Sequence, residues 1–541
     1  MSSGTGSFFD ELAASLENKD VISCSEWTRQ HRRIGGAPWS FSRYPYLREI
    51  HDCPARRIVI KKGAQMGITE AMLNVTFHTL DVKGKDVLYV LPTKDPDASD
   101  FTRARFDPAL ESSPHLSEMF TNVSNVGHKR AGSLNLFVRG SNSRSGLKTI
   151  PVALVILDEY DEMMAENLHL AEERLSGHVG GVMIRLSTPT IEEYGIAKEW
   201  GRSDQRQYWF PCPYCHKPIK LEWPEAFYVE EPELPKTAEI ICPLCKTPMP
   251  RAKKIKAMCR GEWRATEASD VAGFHINQLY SPTLEAFEIA EKWRDAQHDQ
   301  LAEQEFYNSK LGMEHSPAGS RVQPDQIERC ISNYAMQYTS AGACMGVDVG
   351  KLIHFEIAEW KGKVKRVLQV GKVIEFRELV PIMRAHNVYC CVVDARPETR
   401  EARRFQMTMN QTSKIVWLAF YLPIKQLIKK NDEQATIDLH RTESLAMAQS
   451  RFIEGSVVLP YDVPTEYKMG IRAVTRVIRE TGKREPEAVY VKTGPDHYAH
   501  ADNYCEMARV VRPFGIFRPM GPDDVPFGDN FLRTLTGGMV P

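Results

Sequence analysis

Two acids at the end of an apolar run, Asp158-Glu159 after Pro151-Val-Ala-Leu-Val-Ile-Leu157, have the chemistry to hold a nucleotide-bound magnesium ion and to polarise water. They pair with an earlier stretch, Arg57-Ile-Val-Ile-Lys-Lys62-Gly-Ala-Gln65-Met-Gly67-Ile-Thr69-Glu70, which reads as a strand, a small-residue loop and a helix start. Backbone N–H groups opening a helix make a phosphate cradle. The candidate ATP contacts are therefore Lys62, Gly63, Ala64, Gln65, Met66, Gly67, Ile68 and Thr69. Asp158 and Thr69 are then expected on magnesium, with Glu159 as the catalytic residue that orients water. The loop departs from G-x-x-x-x-G-K-[ST], because Ile68 stands at the lysine position. Lys62, at the mouth of the loop, is the nearest cation and can still reach β/γ oxygens as a flexible point charge. Two plainer readings stay open here. Lys62 also reads as a basic residue closing a strand, and the two acids as caps of a helix over 159–175.

Four cysteines give the sharpest metal signal. Cys212-Pro-Tyr-Cys215 and Cys242-Pro-Leu-Cys245 are two C-x-x-C knuckles, suited to tetrahedral zinc at about 2.3 Å from each thiolate. A redox dithiol would need only one such pair. The basic run that follows, Arg251, Lys253, Lys254, Lys256, Arg260 and Arg264, suits either a phosphate backbone or a solvated face.

A second acidic set lies further on. Asp348 sits in Cys344-Met-Gly346-Val347-Asp348-Val349-Gly350, and Asp394 ends Val388-Tyr-Cys-Cys-Val-Val-Asp394. Between them Ile353–Trp360 and Val364–Val370 have hairpin spacing, and 376–386 reads as a helix. Three antiparallel strands followed by helix and strand in alternation is the RNase H order. Its chemistry uses two metal ions about 3.5–4 Å apart, bridged by carboxylates from separate elements.

The elements that must position these groups follow from hydrophobic period. A helix is expected over 70–80, buried strands over 86–91 and 152–157, and a strand from Val182 ending in Ser187 and Thr188. Phe8, Phe9, Leu12 and Leu16 have the spacing of one helical face. Arg103 and Arg105, on a helix, are candidate arginine fingers or plain solvated cations. Arg144 falls in a polar loop between strands, and 283–313 reads as helical. At 541 residues the chain exceeds one domain, and 42% hydrophobic with 26% charged residues is ordinary for a globular fold. With a net charge of −1, any nucleic-acid affinity must come from local patches. Twelve cysteines fall short of a disulfide scaffold, and no apolar run reaches membrane length. A reduced, cytoplasmic protein is expected.

In order and spacing these stretches resemble the large terminase subunits of tailed bacteriophages, lambda-type branch. The resemblance is carried by Pro45-Tyr46-Leu47-Arg48-Glu49, the loop from Lys62 to Thr69, Leu91-Pro-Thr93, and Leu157-Asp158-Glu159. Leu186-Ser187-Thr188-Pro189-Thr190 and Gly273-Phe-His-Ile-Asn-Gln-Leu-Tyr-Ser-Pro282 add to it, and it covers nearly the whole chain. It implies a loop lysine at the front, as Lys62 is, and a coupling role for Ser187 and Thr188. It implies that the aromatic stretch 38–46 packs near adenine, and that a third nuclease acid opens the last helix. Asp496 is that acid, and His500, four residues on, shares its face as ligand or orienter. Asp502 lies about 240° round and is expected to be solvated; Asp438 is expected to cap the helix 440–452. Arg472, Arg476 and Arg479 make a basic stripe suited to DNA.

The implied fold is α/β. A P-loop ATPase domain with a mainly parallel sheet (46–315) carries a zinc-ribbon insertion (205–265). An RNase H-like nuclease domain (336–513) follows a linker (316–335), with an N-terminal segment (1–45) and a flexible tail (514–541) outside them. The implied function is ATP-driven translocation of viral double-stranded DNA into a procapsid and endonucleolytic cutting of concatemers. ATP, Mg2+ or Mn2+, and structural Zn2+ are the implied cofactors. The implied partners are the small terminase subunit, the portal protein and further copies in a ring, in the host cytoplasm at the portal and not in the mature virion. A helicase-like repair ATPase/nuclease uses the same parts, and a non-catalytic zinc-ribbon scaffold would need its acids only as caps.

Overall fold

The computed structural model describes residues 22–120, 127–148, 151–339, 342–411, 415–479 and 487–511. The apolar face expected from Phe8 to Leu16 and the tail 514–541 lie outside the described residues. The chain forms two units, Met1–Pro317 and Ala318–Pro541.

The first unit is built on a ten-stranded sheet. Its central strands are β1 (Arg57–Lys62), β2 (Val87–Leu91), β3 (Leu134–Gly140), β4 (Leu154–Asp158), β5 (Val182–Ser187), β6 (Arg206–Pro211) and β7 (Val271–Ile276). They run parallel in the order β6-β7-β1-β5-β4-β2-β3, with short antiparallel strands at both edges. The apolar runs read as strands for a physical reason: both faces are covered, so no alternation is needed. Ile58, Ile60 and Ile156 pack into one core, while Val155, Leu157 and Val90 pack into another on the opposite face. Between β1 and β2 runs α1 (Ile68–Asp81), which is buried over most of its length.

The expected helix over 159–175 does not form. Glu159 adopts a left-handed backbone (φ 60°), and short 3-10 turns precede a helix of only Leu168–Glu172. No side-chain cap is made at Glu159, which removes the cap reading of the two acids. Arg144 opens a short helix, Arg144–Leu147, instead of lying in a loop.

The second unit carries a nine-stranded sheet. In chain order its main elements are β8 (Ala343–Val349), β9 (Ile353–Lys361), β10 (Val364–Val373), α2 (Leu379–Ala385), β11 (Val388–Asp394), α3 (Thr399–Met409) and β12 (Val416–Tyr421). They are followed by β13 (Ile428–Asn431), β14 (Thr436–Leu439), α4 (Arg441–Glu454), β15 (Val457–Pro460) and α5 (His497–Val511). The order β15-β10-β9-β8-β11-β12-β14-β13 has β8, β9 and β10 antiparallel and β8, β11, β12 and β14 parallel. That is the topology expected from the RNase H order.

Of residues 316–335, expected as linker, those from 318 on fall in this unit and are partly built into it. A helix over Pro324–Cys330 buries Ile327 and Cys330, and Ile331–Ser332 pairs with β15. Arg472, Arg476 and Arg479, expected as a basic stripe, come from more than one element. Arg472 ends the helix Thr465–Ile471, and Arg476 lies on the following strand, Val474–Arg479. Asp438 sits within β14, and the cap of α4 is the His440 side chain, which accepts from the Glu443 amide.

Candidate functional site

The loop after β1 is shaped by two left-handed residues, Gln65 (φ 58°) and Gly67 (φ 76°). A Cβ at Gly67 would lie 3.3 Å from Leu47 Cδ1, so glycine meets both the conformation and the close approach there. Tyr46, fully buried, donates from its hydroxyl to the Met66 carbonyl at 3.0 Å. Aromatic residues upstream thus strap the loop from outside. Gly63 and Ala64, expected among the phosphate-binding amides, donate instead to the Ile276 carbonyl (2.8 Å) and the Ser309 carbonyl (2.7 Å). The cradle that remains runs from Gln65 to Thr69.

Lys62 and the two acids do come together. The buried Lys62 ammonium lies 2.9 Å from Glu159 Oε1, across 97 residues of sequence. Asp158 is 2% exposed, and the Tyr89 hydroxyl donates to its Oδ2 at 2.5 Å. Among the described residues its buried Oδ1 meets no donor at ordinary hydrogen-bond geometry. Burial, then the Glu159 charge, push this carboxyl up to about 6, while Lys62, Tyr89 and Thr69 pull it down. An orphaned, buried carboxylate oxygen beside the Thr69 hydroxyl fits a magnesium position.

Ser187 and Thr188 connect to this corner through an acid that sequence reasoning missed. Asp161, fully buried, accepts from the Thr190 amide (3.0 Å), the Thr190 hydroxyl (2.9 Å) and the Ile196 amide (2.6 Å). Its own amide donates to Ser187 Oγ at 3.2 Å. The Thr190 carbonyl in turn accepts from Asn308 Nδ2 (2.7 Å) and the His315 amide (3.0 Å). The acid was visible in Asp158-Glu159-Tyr-Asp161, but its partners lie some 30 residues away, beyond any local pattern. Burial pushes Asp161 up to about 7, against the Ile196 and Thr190 hydrogen bonds that favour its charge. Folded chain therefore keeps a proton there that unfolded chain releases near 4, so this group's contribution to stability declines as pH rises from about 4 to 7. Asp161→Asn turns an NH2 toward backbone donors and should cost about 1–3 kcal/mol at neutral pH. It should also flatten that pH slope. Urea midpoints of the first unit, taken across pH 4–8 in both proteins, check this.

Arg103 and Arg105 are exposed, and Arg105 pairs with Glu70 at 3.5 Å. Of the basic run 251–264, Lys254 is turned inward, donating to the Leu279 carbonyl (2.7 Å) and the Ser281 carbonyl (3.1 Å).

The four cysteines converge. Sulfur separations are 4.0 Å for Cys212–Cys245 and 3.9 Å for Cys215–Cys242, and all four thiols are free of disulfides. Tetrahedral zinc with bonds of about 2.3 Å sets sulfurs about 3.8 Å apart. The two knuckles repeat one geometry. The His216 and Lys246 amides donate to the carbonyls of Cys212 and Cys242 (3.1 and 2.9 Å), and both residues are left-handed. The set is compatible with zinc.

In the second unit Asp348 and Asp394 come from adjacent parallel strands, where Val347 is in register with Val393. They share the sheet face covered by α5, whose Tyr504, Cys505 and Ala508 pack with Cys344, Cys390 and Val392. Gly346 allows the approach, since a Cβ there would lie 2.0 Å from the Ala501 carbonyl. Asp496 stands at the start of α5. Each acid has one oxygen anchored. His497 Nδ1 holds Asp348 Oδ2 at 2.8 Å, the Arg396 amide holds Asp394 Oδ1 at 3.0 Å, and His500 Nε2 lies 3.3 Å from Asp496 Oδ2. Burial, followed by hydrogen bonds from His500 and Lys492, sets Asp496; the hydrogen bonds win and hold it below the usual carboxylate range. Asp394 goes the other way, pushed up to about 6 by burial and the Asp348 charge. Acids that repel one another across a sheet edge fit divalent cations, whose charge removes the repulsion.

Two histidines here were not assigned from sequence. His497 holds Asp348, and His354 lies opposite Asp348 in the β8–β9 register, its ring stacked on His497 at 4.6 Å. Ligand atoms of Asp348, His354 and His497 fall within 4.8 Å of one another. The hairpin spacing held the signal for His354, but only a fixed register reveals it. Asp502, expected in solvent, is 1% exposed. It lies 2.6 Å from the fully buried Lys365 ammonium, which also meets Glu356 (2.7 Å) and Glu506 (3.4 Å). The far face of α5 meets β9 and β10, not water, so the acid there is paired.

A family profile described as "Phage terminase large subunit gpA, ATPase domain" matches residues 35–263, and one described as "Terminase large subunit gpA, endonuclease domain" matches residues 271–368. The "Terminase, large subunit" of Escherichia phage lambda is 24% identical over 361 residues, covering 58% of this chain and 54% of that protein. The match thus spans about half the length of that curated relative. The crystal structure of the HK97 bacteriophage large terminase aligns with a TM-score of 0.53 at 11% identity, over 90% of this chain and 99% of that one. At that identity the likeness concerns the fold.

Proposed function

Because the chain belongs to the large terminase subunits of tailed bacteriophages, with ATPase and endonuclease domains, we propose that it uses ATP to drive double-stranded viral DNA into a procapsid and cuts concatemeric DNA. The observation that carries this reading is that each unit gathers its acids at the carboxyl ends of parallel strands, where α/β sheets bind ligands. In the first unit, Gln65 to Thr69 would cradle phosphates, Lys62 would leave Glu159 for the β/γ oxygens, and Thr69 and Asp158 would hold magnesium. Glu159, released, would orient water on the γ-phosphate. Ser187, tied to Asp161 and through Thr190 to 308–315, would carry the change toward the end of the unit.

In the second unit, Asp348, Asp394 and Asp496 would hold Mg2+ or Mn2+. Bound there, such ions supply an activated water and charge stabilisation at a scissile phosphate. The chain's own part is to anchor one carboxylate oxygen of each acid; the second oxygen of Asp496 rests on the half-exposed Lys492 ammonium, which a cation would displace. Zinc on Cys212, Cys215, Cys242 and Cys245 would brace the insertion. The partners fitting this reading are the small terminase subunit, the portal and further copies of the chain in a ring, with work done in the host cytoplasm. Among the described residues no helix is long and apolar enough to cross a membrane. Arg103 and Arg105 are exposed, Arg105 resting on Glu70 at 3.5 Å, and would serve a neighbouring copy as arginine fingers. ATP turnover and cation-dependent plasmid cutting, assayed on one preparation, test the proposal; a chain inert in both would overturn it.

A further inference from the structure

His500 has two ring nitrogens, and both are engaged. Nδ1 lies 2.9 Å from the Tyr421 hydroxyl, at the end of β12, and Nε2 lies 3.3 Å from Asp496 Oδ2. The direction of each proton follows from the groups behind Tyr421. Ser444, fully buried on α4, donates its hydroxyl proton to the Arg441 carbonyl at 3.2 Å. Its oxygen accepts from Asn503 Nδ2 at 3.0 Å, and the same amide nitrogen donates to the Tyr421 hydroxyl oxygen at 2.9 Å. An amide nitrogen only donates, so both of its protons are accounted for. Asn503 fills one lone pair of the Tyr421 oxygen, and the Tyr421 proton is assigned to His500 Nδ1 at 2.9 Å rather than to the Tyr504 hydroxyl beside it. An accepting Nδ1 makes a neutral ring carry its proton on Nε2, pointing at Asp496.

We propose that Tyr421 is a positioning residue of the nuclease centre: through the Ser444–Asn503–Tyr421 chain it fixes His500 as the Nε2–H tautomer, which aims Asp496 and is no metal ligand itself. The inference rests on the nuclease reading above. The i, i+4 placement of Asp496 and His500 on the first turn of α5 stacks one above the other, so the imidazole can hold one carboxylate oxygen without leaving the helix face. Among the described residues the other oxygen, Oδ1, meets Lys492 at 2.7 Å, an ammonium that is 55% exposed and would swing away for a cation. The Tyr421 ring is fixed in turn by stacking on Tyr504, with centroids 5.6 Å apart. Outer partners that orient a carboxylate tune the cation affinity of the site they support.

The test uses the full zinc-loaded chain, labelled with 15N-histidine, and its Tyr421→Phe and His500→Gln variants. Long-range 1H–15N spectra should show one histidine as the Nε2–H tautomer, absent in His500→Gln and shifted toward a mixture in Tyr421→Phe. Tyr421→Phe, which keeps the ring packing, should raise the Mg2+ needed for half-maximal DNA cutting about tenfold, with most of the rate recovered at saturating Mg2+. A lesion that only loosens the fold would instead lower the rate at every Mg2+ concentration. His500→Gln, whose side-chain N–H reaches toward the same carboxylate, should cut better than His500→Ala. An Nδ1–H tautomer, a ring nitrogen that shifts as a ligand on Mg2+ addition, or an unchanged Mg2+ requirement in Tyr421→Phe would overturn the proposal. If the wild-type chain cuts no DNA with any cation, the nuclease reading fails, and the tautomer spectra still decide the hydrogen-bond chain.

Discussion

Glu159→Ala lowers ATP turnover about 10²–10⁴-fold while leaving DNA cutting by the second unit intact. Two effects of the substitution oppose one another, and their sizes decide the outcome. Glu159 is the buried Lys62 ammonium's partner at 2.9 Å, so its removal frees the lysine for phosphate and favours nucleotide binding. It also removes the carboxylate placed to orient water. Burial works against the charge of Lys62, and the Glu159 and Asp158 charges more than restore it; Asp158 remains beside the lysine after the substitution. KM for ATP is therefore expected to hold or fall as kcat collapses. Equal losses in binding and turnover would point to a misfolded loop, and wild-type turnover would refute the assignment of Glu159. Steady-state ATPase with nicking measured on the same samples separates these results.

Asp348→Ala abolishes cutting, by about 10³-fold or more, with ATP turnover retained. The substitution should not unfold the unit. Asp348 makes a hydrogen bond to His497, but its charge also raises the neighbouring Asp394, so removal relieves repulsion as it loses a bond. The melting temperature of the second unit without divalent cation is expected to stay level or rise, the usual signature of a site that trades stability for function. Loss of ATPase and cutting together would mean the acids are divided wrongly between the two units.

The sequence was readable where one local signal sufficed. An apolar run ending in acid gave Asp158 and Asp394, because strands covered on both faces need no polar alternation and must release their charges at the edge. The cysteine knuckles were readable for the same reason: ligand type and spacing are local. Lys62 needed more, since only the 2.9 Å contact with Glu159 brings it to the two acids. Asp502 was misread because a helical wheel orders faces without saying what each one meets. Helix α5 is buried nearly all round, so its far face carries a paired acid. The helix expected after Asp158 failed because the left-handed turn at Glu159, with Asp161 held by Thr190 and Ile196, outweighs propensity over 159–175. His354 and Tyr421 belong to a further class, where only strand register and the direction of hydrogen bonds reveal a role.

Separate acid clusters, one in each unit, are predicted to hold divalent cations, the first beside a nucleotide and the second beside a scissile strand. Crystals of the zinc-loaded chain grown with a non-hydrolysable ATP analogue and Mn2+, measured at the manganese absorption edge, test it directly. Anomalous peaks are predicted between Thr69 and Asp158 and again among Asp348, Asp394 and Asp496. Full nucleotide occupancy with no manganese at either cluster, or manganese bound elsewhere and DNA still cut, would contradict it.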